Sequence, residues 1–420
     1  MPANPTAPAP AAPVPVFINA LGTLSAAGRT PAEILSVLRA NKSPGMLPCV
    51  AGLLNDGAVA AAAATTVSGQ IIGPLPPLPP TFARRHESRT NRLLHAALIA
   101  ILPQVEEALA RHGRGRLAII IGTCTSGIRE SETAFRQLHQ HGALPDTFDP
   151  RKQELGHPAK FLALRLGVTG PAYTISTACS SSARALISAR RLIRSGLADA
   201  VLAGGADHPG ATSYNGFHSL GALSRAHCRP FARDRDGINL GEGAALFLLT
   251  RQPAPVALLG AGETSDAYHA SAPHPDGLGT ETSMRMALAD AGIAPADAQR
   301  KTGYINLHGT GTPLNDHTES HAVYRIFGDA VPCSSTKHLT GHTLGACGAI
   351  EASLCHALLT APPAPSPVNL PRQQLAPEDK DPALAPIHLV TGEETLRTPL
   401  ILSNSLGFGG NNATLILGPA

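Results

Sequence analysis

Residues 173–194 read YTISTACSSSARALISARRLIR, and this stretch decides the fold. Tyr173, Thr174, Ile175, Ser176 and Thr177 carry the β-branched and aromatic side chains of an extended strand. Leu186, Ile187 and Ile193, with alanines between them, suit a helix packed closely on a sheet. Small residues make the turn, and Cys179 stands at the junction. A thiol at a helix N-terminus meets the positive end of the helix dipole and unpaired N–H groups, both of which favour thiolate. The unit is therefore strand, candidate nucleophile, helix. A small buried Cys in a βα turn would look the same, so the rest of the chain decides.

A chain of 420 residues with 43% hydrophobic content can build two or three domains with sizeable cores. The net charge of +3, from 33 basic and 30 acidic residues, gives no strong field, so neither nucleic acid nor a membrane surface is implied. Seven scattered Cys, an odd number without C-x-x-C pairs, argue against a disulfide framework and a Cys-type zinc site. A reducing, cytoplasmic setting is expected. Residues 1–15, MPANPTAPAPAAPVP, lack the basic and continuous apolar regions of a signal peptide and read as a disordered Pro/Ala tail. No run reaches the roughly eighteen apolar residues of a membrane span, although 51–64 is Ala-rich.

Outward from the Cys179 unit the pattern is α/β. VFINALGTLS predicts a strand entering a Gly turn, PAEILSVLRA a short helix over 31–40, and PLPPLPP over 74–80 a stiff connector. Arg84, Arg85, Arg89 and Arg92 then form the densest basic cluster, either a solvated helix face or an anion dock. LAIIIGTCTSG reads as a buried parallel strand whose C-terminal end opens a crevice. ADAVLAGGAD and GEGAALFLLT follow as strands, and RQPAPV breaks the chain into halves at 16–255 and 256–420. The second half repeats the first: TGYINLHGTGTPL echoes LAIIIGTCTSG, and SSTKHLTGHTLGACGAIE echoes STACSSSARALISAR. LILSNSLGFGGNNATLIL closes the chain as two strands around a Gly-rich turn. Two such halves bring strand ends together, so Cys179 could meet His308 and His342 between them.

His308 lies in LHGTGTP and His342 in TGHTLGACG, both among small residues. Each alone suits a structural role; together with a helix-start Cys they suggest a thiolate that accepts an acyl group and two imidazoles that donate hydrogen bonds to a developing oxyanion. Lys337 lies five residues before His342, and GFGGNN can bring backbone N–H groups close to a substrate oxygen. His317/His321 and His338/His342 are spaced i, i+4 but lack the H-E-x-x-H pattern, so no metal site is expected. No strand, G-x-G-x-x-G, helix succession is present, which argues against a nucleotide.

STACSSS, CRPFARDRDGINLGEGA, SDAYHASAP, YINLHGTGTPLND, SSTKHLTGHTLGACGAIE and NSLGFGGNN occur in an order that resembles the elongating β-ketoacyl-[acyl carrier protein] synthases of the thiolase superfamily. The resemblance runs from VFINALGTLS to the C-terminus. It implies an α/β thiolase-like fold of two similar halves in α-β-α-β-α layers, and an acyltransferase that performs a decarboxylating Claisen condensation with malonyl carrier protein. It implies Cys179 as the acyl acceptor and His308 and His342 as the pair polarising the malonyl thioester. Lys337 and Glu319 would be a buried ion pair, and the N–H groups of Cys179 and Phe408, beside Gly407 and Gly409, the oxyanion hole. Thr310 and Thr312 would hold the phosphopantetheine arm carried by the substrate, with no other cofactor, and Ile128 would gate the acyl pocket. Asn306, Glu351 and Ser403 fall where some members hold a monovalent cation.

HGTGTPLND and NSLGFGGNN depart from the commoner HGTSTPxGD and NSFGFGGTN, which turns the reading from housekeeping fatty-acid enzymes toward polyene pathways such as those making aryl polyenes. The alternatives are a thiolase or initiating synthase using CoA thioesters, a non-catalytic chain-length-factor subunit, and a thiol hydrolase. The first would prefer a Cys-His-Asn set, and the second typically lacks the Cys that this chain keeps. Arg85, Arg89 and Arg92 are expected to dock an acidic carrier protein. A homodimer, or a heterodimer with a related subunit, is expected through 117–122, because LAIIIG at a sheet edge would need cover.

Overall fold

The computed structural model describes residues 14–49, 66–361 and 368–420, so the tail over 1–13 and the Ala-rich run over 51–64 lie outside the described residues. Its strands are β1 Phe17–Leu24, β2 Met46–Pro48, β3 Val67–Gly69, β4 Leu117–Gly122, β5 Ala172–Ile175 and β6 Ala200–Asp207. They continue as β7 Gly243–Thr250, β8 Ala257–Ser265, β9 Tyr304–Asn306, β10 Cys333–Ser334, β11 Ile401–Gly407 and β12 Asn411–Gly418. Apart from the β2/β3 ribbon, the strands form one ten-stranded sheet in the order β10-β9-β11-β12-β8-β1-β7-β6-β4-β5. From the centre outward, one side runs β1-β7-β6-β4-β5 and the other β8-β12-β11-β9-β10. Numbered within its own half, each is first, fifth, fourth, second, third. The repeat legible in the sequence is thus a repeat of topology.

Burial explains the layers. In β4, Ala118 and Ile120 face one core together with Leu186 and Ile187 of the helix Ser181–Arg194 and Ala349 and Ile350 of the helix Cys347–Leu359. Leu117, Ile119 and Ile121 face a second core, with Leu93 and Leu98 of the helix Arg89–Ile99 and Phe161 of the helix His157–Leu166. Side chains alternate faces along a strand, so a strand apolar at every position must be covered on both. On the other half, Ile305, Leu402 and Ile416 pack with Met284 and Val323 of the helices Leu278–Asp290 and Pro313–Phe327. The two central helices therefore lie between strands of both halves, with outer helices beyond, which is the layered α/β arrangement expected of a thiolase-like fold.

The edge expected at 117–122 is elsewhere. β4 is internal, parallel to β6 on one side and to β5 on the other, through pairs such as Ile120–Tyr173 and Ile120–Ala203. The four-residue β5, half-buried to exposed, is the edge strand. An all-apolar strand is stable only when covered on both sides, and β5, with its Tyr and Thr, supplies the missing neighbour.

Close approach of the central helix to β4 depends on Gly122, where a Cβ would lie 2.3 Å from the Ser182 nitrogen. Gly122→Ala is expected to push the helix Ser181–Arg194, which follows Cys179, away from the sheet and to destabilise by about 1–3 kcal/mol. Thermal melting checks this, and an unchanged melting temperature would contradict it.

Candidate active site

The strand-to-helix turn is sharp. Ala178 adopts φ +52°, an uncommon value for a residue with a Cβ, and so swings Cys179 back over the start of the helix. Ser hydroxyls hold the turn: Ser181 Oγ accepts from the Thr177 N–H at 2.9 Å, and Ser180 Oγ donates to the Thr177 carbonyl at 2.8 Å. The Cys179 sulfur receives the backbone N–H of Phe408 and its own N–H. Gly407 allows this approach, since a Cβ there would lie 2.8 Å from the Thr177 oxygen and 3.2 Å from the Cys179 nitrogen. The thiolate expected from the helix start is not the resting form. Burial pushes the Cys179 thiol up to about 12, against the pull of Lys337 and the Phe408 N–H.

His308 leaves the end of β9, and its position is fixed by Glu319. That buried carboxylate accepts the N–H groups of His308 and Gly309, both at 2.8 Å, and the Asn404 side-chain amide at 3.1 Å. His342 is tied to the Asn239 carbonyl through its N–H at 2.6 Å. A ring nitrogen of each imidazole and the Cys179 sulfur all lie within 4.8 Å of one another.

The tautomers follow from the partners of Nδ1. His308 Nδ1 lies 3.2 Å from Lys337 Nζ, which has only protons to offer. His342 Nδ1 accepts the Leu344 N–H at 3.1 Å. Each Nδ1 is thus an acceptor, so each proton sits on Nε2, the nitrogen free to face Cys179. Both rings stay neutral. Burial, with the Lys337 charge added, drives His342 down to about 3 and His308 well below its ordinary value.

Lys337 does not pair with Glu319. Its Nζ donates to Glu351 Oε1 at 2.5 Å, and both side chains are buried. Glu319 spends its oxygens on backbone N–H groups of its own approaching loop, whereas Glu351 on the helix Cys347–Leu359 faces the ammonium. Burial opposes the Lys337 charge, but Glu351 beside it keeps its pKa above the ordinary value.

A cavity of about 390 Å³ opens from Cys179 to solvent, lined by His308, His342, Phe217, Thr310, Thr312, Gly407 and Phe408 among others. Thr310 and Thr312 touch through their hydroxyls at 2.9 Å. Ile128, half-buried at the start of the helix Ile128–His141, is not among the residues lining this cavity; its N–H donates to Thr125 O at 3.0 Å. Gly409 does not line it either; its N–H is taken by the Ala270 carbonyl at 2.8 Å.

The basic cluster is also corrected. Arg89 is bidentate to the buried Glu242, at 2.9 and 2.6 Å, and Arg92 is paired with Glu87. Burial works against the Glu242 charge, but Arg89 and His208 hold its carboxyl well below the usual range. Only Arg85 of the three expected docking residues stays exposed without an ion pair, beside the exposed Arg84.

Three residues escaped the sequence reading. Asp207 ends β6 and collects the hydroxyls of Thr123 and Thr125, at 2.5 and 2.6 Å, which fixes the loop after β4. Cys124 donates to the Ala178 carbonyl at 3.2 Å and Cys347 to the Cys179 carbonyl at 3.0 Å, so thiols brace the turn on two sides. The signal for Asp207 was an acid closing the apolar run AVLAGGAD over 200–207.

Residues 14–254 match the family model described as "Beta-ketoacyl synthase, N-terminal domain" and residues 256–370 the one described as "Beta-ketoacyl synthase, C-terminal domain". The chain belongs to the β-ketoacyl synthase family. A relative from Synechocystis sp. named 3-oxoacyl-[acyl-carrier-protein] synthase 2 is 33% identical over 356 residues, covering 79% of this chain and 82% of the relative. A structure of the ketosynthase ApeO in complex with its chain length factor ApeC, from Xenorhabdus doucetiae, matches with 48% identity and TM-score 0.89, covering 97% of this chain and 98% of that one. The ishigamide ketosynthase/chain length factor matches at 27% identity and TM-score 0.83, covering 97% and 100%. The reading as a β-ketoacyl synthase of thiolase-like fold therefore holds over a thiolase, an initiating synthase or a non-catalytic subunit. Among the described residues no single helix is long and apolar enough to cross a membrane.

The neutral imidazoles set a pH dependence. His338 and His342 lie at about 3, and His157 and His356 at about 4, against an ordinary 6.5, chiefly because burial opposes their charge. Below 6.5 the unfolded chain binds protons that these four folded groups refuse, so their stabilisation is lost as pH falls. Glu351, which burial pushes up to about 7 from 4.5, acts in the opposite sense, as do the raised buried carboxyls of Asp207, Asp316 and Glu319; against these four acids stand nine lowered histidines, the four above with His86, His95, His227, His308 and His317. The urea midpoint is expected to be lower at about pH 5.5 than at about pH 7.5. An equal or higher midpoint at the lower pH would contradict this.

Proposed function

We propose that this β-ketoacyl synthase carries a growing acyl chain on Cys179 and extends it with malonyl units delivered on an acyl carrier protein. The observation that carries the proposal is the pair of Nε2–H imidazoles aimed at the nucleophile, each locked by a donor at Nδ1. In the first step the Cys179 sulfur attacks the acyl thioester, the carbonyl oxygen takes the N–H groups of Cys179 and Phe408, and the carrier thiol leaves with a proton. In the second step the malonyl C–C bond breaks, carbon dioxide leaves, and the enolate oxygen is held by the two Nε2–H donors. Neutral donors suit this role, because they stabilise the oxyanion without giving up a proton to it. The carbanion then attacks the acyl carbon, the C–S bond breaks with its electron pair on sulfur, and the Cys179 thiolate takes a proton from solvent to restore the thiol. Thr310 and Thr312, facing the cavity, would hold the pantetheine amides.

At the residues where the family resemblance implies a monovalent cation, Asn306 Nδ2 lies 3.4 Å from Ser403 Oγ, and the buried Glu351 Oε2 has no partner among the described residues. A buried, unpaired carboxylate oxygen fits a hard cation, which would be held by Asn306, Glu351 and Ser403 and would balance charge.

The 48% identity to ApeO with its chain length factor favours a ketosynthase that works beside a chain-length-factor subunit, in a polyene rather than a housekeeping pathway. The free edge at β5 and the exposed Phe135, Leu138 and Leu144 after Gly127 suit such a partner. Sedimentation of the chain alone and with such a subunit tests this; a fully active monomer would refute it.

Cys179→Ala is expected to gain no acyl mass from acyl carrier protein. His308→Ala and His342→Ala are expected to be acylated normally but to release carbon dioxide about 10²–10³-fold more slowly. Intact-mass and carbon dioxide measurements check both, and unchanged condensation in the His variants would overturn the mechanism.

A further inference from the structure

The entrance of the catalytic cavity is apolar. Leu220 closes the helix Ala211–Ser219, Leu314 stands on the first turn of the helix Pro313–Phe327, and Phe408 lies between β11 and β12. All three line the cavity, yet they are 56%, 58% and 38% exposed, so they ring its opening from three separate elements. Leucines this exposed add little to the stability of the folded chain, and grouped apolar residues at an opening mark a surface that is covered when the site is used.

The charges nearby are already engaged. Among the described residues lining the cavity, Asp266 is the only one of the Asp, Glu, Lys or Arg type, and its carboxylate accepts from Asn412 Nδ2 at 2.7 Å and the His274 N–H at 3.1 Å. Arg235, under the rim, donates to Pro313 O at 3.2 Å and is paired with Asp381 at 2.6 Å. The exposed Arg84 and Arg85 line a different depression, with Asp146, Asp149 and Arg151. No Lys or Arg side chain therefore lines the opening itself, and the exposed Arg225 lies beyond the lining residues Gly221 and Ala222.

The geometry points to docking of the carrier protein on this rim by apolar contact, with Leu220 and Leu314 as its main anchors. The inference rests on the reading of the chain as a carrier-fed ketosynthase and adds the surface and its chemistry. The occupant is the carrier because its arm must pass this opening to reach Cys179, so the protein bearing the arm must sit over the rim. A helix with an apolar stripe fits three apolar anchors spread around a hole. Burial of such anchors gives an affinity that salt screens little, in contrast to docking on arginines.

The test compares wild type, Leu220→Ser/Leu314→Ser and Arg84→Glu/Arg85→Glu with two substrates: malonyl carrier protein, and a soluble malonyl pantetheine thioester that needs no docking. Both leucines are mostly solvent-exposed, so their replacement removes no core packing. The leucine variant is expected to raise KM for the carrier substrate about tenfold or more while leaving turnover of the soluble thioester unchanged. The arginine variant is expected to behave as wild type, and wild-type KM to change less than about twofold between about 0.05 and 0.5 M salt. An unmoved KM in the leucine variant, or a steep salt dependence, would overturn the docking surface. So would a change in association state on replacing the leucines, which would make the rim a subunit interface. Failure of the wild type to condense either substrate would instead sink the ketosynthase reading itself.

Discussion

A single buried ammonium organises the catalytic centre. Lys337 places one proton on Glu351 and another toward His308 Nδ1, in a position where water is excluded. Burying a charge is costly unless it is paired, and Glu351 supplies the pair. Its second contact dictates which nitrogen of His308 carries the proton. Without Lys337 the opposite tautomer would be open to His308, and the imidazole would then present a lone pair where a donor is required. Burial first, and the same ammonium after it, depress the pKa of both imidazoles, which keeps them neutral.

The fold serves this arrangement by placing three strand ends and two central helices around one point. Cys179 comes from the turn after β5, His308 from the end of β9, and Phe408 from the end of β11. Lys337 and His342 sit just before the central helix Cys347–Leu359, which also carries Glu351. Because the halves share one strand order, equivalent turns face each other across the central helices, and residues far apart in sequence converge. The cores on both sides of β4 hold the turn at fixed height, and glycines at 122 and 407 allow backbone to approach where any side chain would collide.

Much of this was legible in the sequence. Cys179, His308 and His342 stood out because each lies among small residues, which are needed wherever backbone and substrate come close. The duplication was legible because both halves place an apolar strand before Gly-Thr. What failed was partner choice across distance. Glu319 and Glu351 are both buried acids on helices near Lys337, and only the direction of each helix face separates them. Arg89 looked like a surface cation because Glu242, 153 residues away, gives no local sign of pairing with it. β4 looked like an edge because its cover, β5, is short and partly polar. Helix-start placement suggested a thiolate, but burial outweighs the dipole at Cys179, so the anion must form as substrate arrives.

The most direct test of the central claim is histidine NMR of the isotope-labelled protein, assigned with His308 and His342 variants. The account predicts that both rings are neutral and carry their proton on Nε2 from about pH 8 to about pH 5.5. An imidazolium at neutral pH, or a proton on Nδ1 of either ring, would contradict it.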